Sequence, residues 1–126
     1  MDTIELARHF TRSIESGDIE AIRACYAKDA QIWHNFDEVN QTVDENMKVL
    51  EWMKRQATRR TYEISRLEEI VGGYLQQHVL RMVNLAGEEI TMPACLIVTV
   101  EDGKIRRLEE YLDPKQAERL RDHSPS

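Results

Sequence analysis

Apolar residues near the N-terminus recur at helical spacing: Ile4, Ala7, Phe10 and Ile14 mark one face, with Asp2 or Thr3 in position to cap it and Gly17 to stop it. Asp18 opens a shorter helix with Ile19, Ile22 and Tyr26 inward, and a short strand is predicted from Asp29 to Phe36. Thr42 and Glu45 form a capping box ahead of a third helix, whose face carries Val43, Met47, Leu50, Met53 and Ala57 and is widened by Trp52. From Thr61 the period changes to strict alternation. Four strands are expected, over 61–71, 73–83, 89–101 and 104–112. Gly72-Gly73, Ala86-Gly87 and Asp102-Gly103 separate them as short hairpin turns, so the sheet should be mostly antiparallel. Helices first and long strands afterwards predict an α+β fold rather than a doubly wound one.

The chain has 126 residues, which is long enough for one domain to bury a core without disulfides or a structural metal. That domain is expected over 1–121, with a polar, frayed tail over 122–126. Charged residues make up 32% and hydrophobic residues 41%, and no apolar run reaches membrane-spanning length. The N-terminus reads without the basic and apolar regions of a secretory signal, so a cytoplasmic location is expected. A net charge of −6 argues against a nucleic-acid partner. Lys54, Arg55, Arg59 and Arg60 run against that sign and read as a solvated face that compensates a helix dipole. Cys25 and Cys95 have no paired spacing and read as buried thiols.

Candidate chemistry follows from strand alternation, since residues two apart share a face. Leu108, Glu110 and Leu112 form one set, and Gln76, His78, Leu80 and Met82 form another. A carboxylate beside an imidazole in an apolar cleft is a common way to assemble a general base, so His78 with Glu110, on neighbouring strands, is the first expected dyad. The alternative is a satisfied core histidine with a carboxylate partner. In Trp33-His34-Asn35 the register decides whether His34 or its two neighbours face the pocket. His34, His78 and Glu110 could also make a two-His, one-carboxylate metal site, but they come without any short ligand motif. Neither a metal nor another cofactor is expected.

Two segments carry a resemblance. Gly17-Asp18-Ile19-Glu20-Ala21-Ile22 followed by Tyr26-Ala27-Lys28-Asp29-Ala30 resembles the second helix and first strand of ketosteroid isomerases. Gly103-Lys104-Ile105 and Glu110-Tyr111-Leu112-Asp113 resemble the last strand of the same nuclear transport factor 2-like superfamily, which includes limonene-epoxide hydrolases and SnoaL-like polyketide cyclases. The resemblance spans nearly the whole chain. It implies a cone-shaped curved sheet wrapped around three helices, a cystatin-like α+β barrel with a small apolar pocket at its open end. Read without gaps, the isomerase tyrosine falls on Phe10, its base on His34 and its second aspartate near Leu96, so that catalytic set is absent. The hydrolase Asp-Arg-Asp set falls on His78, Gln76 and Glu110, and its Tyr-x-Asn pair on Trp33 and Asn35 or on Ile32 and His34.

The expected activity is a cofactor-independent hydrolase, isomerase or cyclase acting on a small apolar or polyketide-like molecule. His78, Glu110 and His34 would be catalytic, and Trp33, Asn35, Gln76, Leu80, Leu108, Leu112, Trp52 and Phe10 would contact substrate. The rival is a ligand-binding or dimerisation module of the same fold. A homodimer is expected through the convex sheet face, where Val79, Val83 and Tyr111 should lie.

Overall fold

Asp2 caps the first helix, α1 (Thr3–Ser16), through a capping box with Glu5, and Gly17 ends it at a φ of 71°. Leu6, Ala7, Phe10 and Ile14 form its buried stripe. Lys54 and Arg60 donate to the carbonyls of Ile14, Glu15 and Gly17 at its C-terminal end. Two of the four basic residues, Lys54 and Arg60, therefore compensate a helix dipole, but across the fold, on α1. The computed structural model describes residues 1–121 of the chain, and the tail expected over 122–126 lies outside them.

After α2 (Ile19–Cys25) the chain enters β1 (Tyr26–His34) with no loop, because Tyr26 already has extended dihedrals as the helix C-cap. Tyr26 therefore opens a strand instead of closing a helix, and β1 starts three residues earlier than the sequence suggests. The two-residue β2 (Asn40–Gln41) leads into α3 (Val43–Gln56), which starts with the expected Thr42–Glu45 capping box. Ala57 repeats the same device. It ends α3 in extended geometry and begins β3 (Ala57–Ile70), four residues ahead of the expected start. The strands β4 (Gly73–Asn84), β5 (Glu89–Glu101) and β6 (Lys104–Leu112) follow as hairpins. A short helix α4 (Lys115–Arg121), absent from the sequence reading, buries Leu120 against Ala57, Met82, Ile90 and Met92.

The six strands form one sheet in the order β2-β1-β6-β5-β4-β3. All neighbours are antiparallel except β1 and β6, which run parallel. Register shifts between Ile64 and Arg66 on β3 and between Thr99 and Val100 on β5 help the sheet curve. The concave face meets the helices: Leu6, Phe10, Ile14 and Met47 pack against Ile32, Tyr74, Leu96, Val98, Ile105 and Leu108. Burying each such side chain stabilises the fold by about 1.5–3 kcal/mol. Among the described residues, no helix is long and apolar enough to cross a membrane.

Candidate active site

The parallel seam between β1 and β6 places His34 directly opposite Glu110. Both point into the cone, where His34 Nε2 lies 3.0 Å from Glu110 Oε1. His34 Nδ1 is buried without a hydrogen-bond partner among the described residues, whereas Glu110 Oε2 is neither buried nor bonded there. The carboxylate is thus the group of the pair that can meet a guest. Burial opposes a charge on His34, but the hydrogen bond and negative charge of Glu110, with help from Asp37, outweigh it and hold its pKa above the ordinary value.

The pair borders a cavity of about 120 Å³ whose walls are mostly apolar. Phe10 and Ile14 come from α1, Leu50 and Met53 from α3, and Leu80, Met92, Leu96, Leu108 and Leu112 from the sheet. Its other polar residues are Tyr26, Asn46 and Tyr62. Asn46 is buried, and its side-chain amide donates to Gln41 Oε1 at 3.0 Å. A larger cleft of about 440 Å³ lies outside, between α2 and the start of α3, but its Arg23 is already paired with Asp44. At the smaller cavity, among the described residues, an imidazole–carboxylate pair faces apolar walls.

His78 does point inward, as alternation requires, yet it does not meet Glu110. Consecutive hairpins put β5 between β4 and β6, so the strand set beside β6 on its other edge is β1, and Glu110 takes His34 as its partner. His78 is instead bound by Gln76, with Gln76 Nε2 3.0 Å from His78 Nδ1. With the amide nitrogen donating, the ring proton sits on Nε2. Burial lowers the pKa of His78, only partly offset by the charge of Glu110, so the two inward histidines are driven in opposite directions. Gln76 and His78 are both buried, and neither borders this cavity.

The register also settles the Trp33-His34-Asn35 alternative. With His34 inward, Trp33 turns to the outer face and packs edge-on against Tyr111, at a centroid separation of 5.4 Å. Asn35 Oδ1 accepts from the backbone N–H of Leu112 and extends the ladder beyond β1. Neither Trp33 nor Asn35 borders the cavity, and Trp52 is partly buried against the second cluster near α4. Phe10, Leu80, Leu108 and Leu112 do line it. The residue that sequence reasoning passed over is Tyr62, whose ring rests on His78 at 4.7 Å between centroids. Its register partner Leu80, one alternation step from His78, was the available signal. Among the described residues, no group of three or more His, Cys, Asp or Glu side chains could hold a metal ion.

The family profile for the SnoaL-like domain matches residues 7–108. No curated protein sequence matches the chain. Among solved structures, PrhC from Penicillium brasilianum superposes with a TM-score of 0.84 at 16% identity, covering 95% of this chain and 85% of that one. A putative polyketide cyclase from Pseudomonas putida gives 0.80 at 20% identity, covering 93% and 96%. An LEH-like epoxide hydrolase from M. tuberculosis gives 0.76 at 15%, covering 94% and 87%. At such identities these likenesses establish the shared fold alone.

Proposed function

The chain belongs to the SnoaL-like domain family, and from that premise we propose that it is a cofactor-independent enzyme acting on a small, largely apolar molecule through the pair Glu110 and His34. The observation that carries the reading is a histidine–carboxylate pair in contact at 3.0 Å, placed in an apolar cavity with one carboxylate oxygen left open. Glu110 acts as the general base, taking a proton from a carbon beside a carbonyl or from an attacking water, and returns it later in the cycle. His34 holds the carboxylate in place and balances its charge. His78, expected from its sequence position to be the base, is assigned a supporting place instead, since its ring is enclosed and bound to Gln76.

Support for a hydrolase, isomerase or cyclase comes from the company of the fold, which includes proteins described as a polyketide cyclase and as an epoxide hydrolase. The test is a turnover screen with single-ring ketones, lactones and epoxides. Glu110→Gln should remove any activity found while Tm stays within a few degrees of wild type. If Glu110→Gln turns over as fast as wild type, this reading is wrong.

We further propose that the protein works in the cytoplasm as a homodimer through the outer sheet face. That face carries Trp33 packed on Tyr111, with Ile97 on the neighbouring strand; Ile97 and Tyr111 are both exposed large apolar residues.

A further inference from the structure

The cavity that holds Glu110 also has a phenol in its wall. Tyr62 lies on β3, and its position is fixed from two sides. Its backbone N–H donates to Glu15 Oε2 of α1 at 2.7 Å, and its ring rests on His78, inclined at 60°. His78 is held in turn by Gln76. The buried polar pair on β4 therefore works as a backing for Tyr62, which gives the two enclosed side chains a purpose that neither has at the cavity surface.

Of the other polar residues of the cavity, His34 and Asn46 have donor groups already engaged by the protein. His34 has one nitrogen on Glu110 and the other buried. The Asn46 amide nitrogen is engaged by Gln41. Tyr26 stands edge-on to Phe10 and also borders the separate outer cleft. The Tyr62 hydroxyl has no hydrogen bond to the protein among the described residues, and Tyr62 lines the cavity. Burial, with the charges of Glu110 and Glu15 adding to it and Arg60 opposing, holds this phenol far above its ordinary pKa, so it stays protonated and can only donate to an acceptor oxygen.

Size limits the guest further. A cavity of about 120 Å³ falls well below the roughly 300–1,000 Å³ of sites for drug-sized ligands and is near the roughly 150 Å³ that encloses benzene. Phe10, Ile14, Leu50, Met53 and Leu108 leave room for about one ring.

We propose that Tyr62 donates the hydrogen bond that holds the substrate's oxygen, and that the substrate is a compact single-ring carbonyl compound, seated with its oxygen on Tyr62 and its ring against the apolar walls. The assignment rests on the reading of Glu110 as the base, because the phenol and the carboxylate line the same cavity. It extends that reading by fixing the orientation and size of the guest.

The test uses carbonyl-labelled cyclohexanone, titrated onto the intact protein and followed by infrared difference spectroscopy. Deuterium uptake at its α-carbons is read in parallel. Saturable binding is expected, with the carbonyl stretch moved to lower frequency in wild type and in Glu110→Gln. Tyr62→Phe should lose that shift, and its deuterium uptake should slow by about 10²-fold, the usual cost of removing one preorganised donor. An equal shift in wild type and Tyr62→Phe overturns the assignment. So does a failure of cyclohexanone to bind, or equally tight binding of the two-ring 1-decalone. A Tyr62-dependent shift together with undiminished uptake in Glu110→Gln would sink the reading of Glu110 and leave that of Tyr62 standing. If Tyr62→Phe does not fold, 3-fluorotyrosine at position 62 replaces it. Its more acidic hydroxyl should deepen the shift, and an unchanged shift overturns the assignment.

Discussion

His34 Nε2 lies 3.0 Å from Glu110 Oε1, and the two residues are direct register partners across the parallel seam of β1 and β6. The seam joins two strands that are more than 60 residues apart in sequence but adjacent in space. Neither residue meets the other through a local motif, so the pair exists only because the sheet closes β6 onto β1. Its electrostatics can be checked in solution.

NMR titration of the histidine rings should place His34 above the ordinary value of about 6.5 and His78 below it. The signs follow from linkage. The raised pKa of His34 contributes stability that is full below its unfolded value and is lost as pH rises through its folded value. The depressed pKa of His78 contributes stability present above its unfolded value and lost as pH falls through its folded one. Glu110→Gln removes the partner and leaves burial of His34 opposed by Asp37 alone, so the pKa of His34 should fall, and that of His78 should drop further. An unmoved His34 curve in the variant would contradict the pairing.

Gln76 and His78 should behave as one unit. Gln76→Leu strands a buried ring nitrogen and is expected to cost about 1–3 kcal/mol. The double variant Gln76→Leu/His78→Phe should cost less than the sum of the singles, since it removes both polar groups together. Denaturant unfolding of the four proteins measures the coupling, and strict additivity would show that the two side chains do not support each other.

Gly73 is set by packing and Gly72 by backbone conformation. A Cβ at Gly73 would stand 1.7 Å from the carbonyl oxygen of Val98, so Gly73→Ala must push β4 away from β5 and should cost about 3 kcal/mol or more. Gly72 has a φ of 83° and nothing nearby, so Gly72→Asn, a residue tolerant of left-handed geometry, should cost under about 1 kcal/mol. Thermal melts that rank the two the other way would contradict the hairpin geometry.

For the proposed dimer, Ile97→Arg and Tyr111→Glu introduce charge on the outer face without touching the cavity. Light scattering should report a wild-type dimer and monomeric variants with similar Tm. A wild-type monomer at high micromolar concentration would remove the proposal.

Much of the fold was legible because its signals are local. The Thr42–Glu45 capping box and the Gly72 and Gly103 turns each specify an element by short-range chemistry, and the inward set Gln76, His78, Leu80 and Met82 by period. Tyr26 and Ala57 were misplaced because each passes from helix to strand without a turn residue to mark the change. The site was only half legible. Alternation correctly faced Glu110 inward, but it says nothing about strand order, and strand order decided between His34 and His78. Tyr62 was hidden for the same reason: its value lies in what stands behind it and across from it, and both are long-range facts.

The central claim is that Glu110 is a base aimed at a guest in this cavity. The most direct measurement is the rate of deuterium uptake at the α-carbons of cyclohexanone in heavy water, in wild type and in Glu110→Gln at matched concentration. The account predicts saturable uptake above the buffer rate in wild type and a fall of about 10²-fold or more on removing the carboxylate. Uptake at the buffer rate in wild type, or equal uptake in the two proteins, would contradict it.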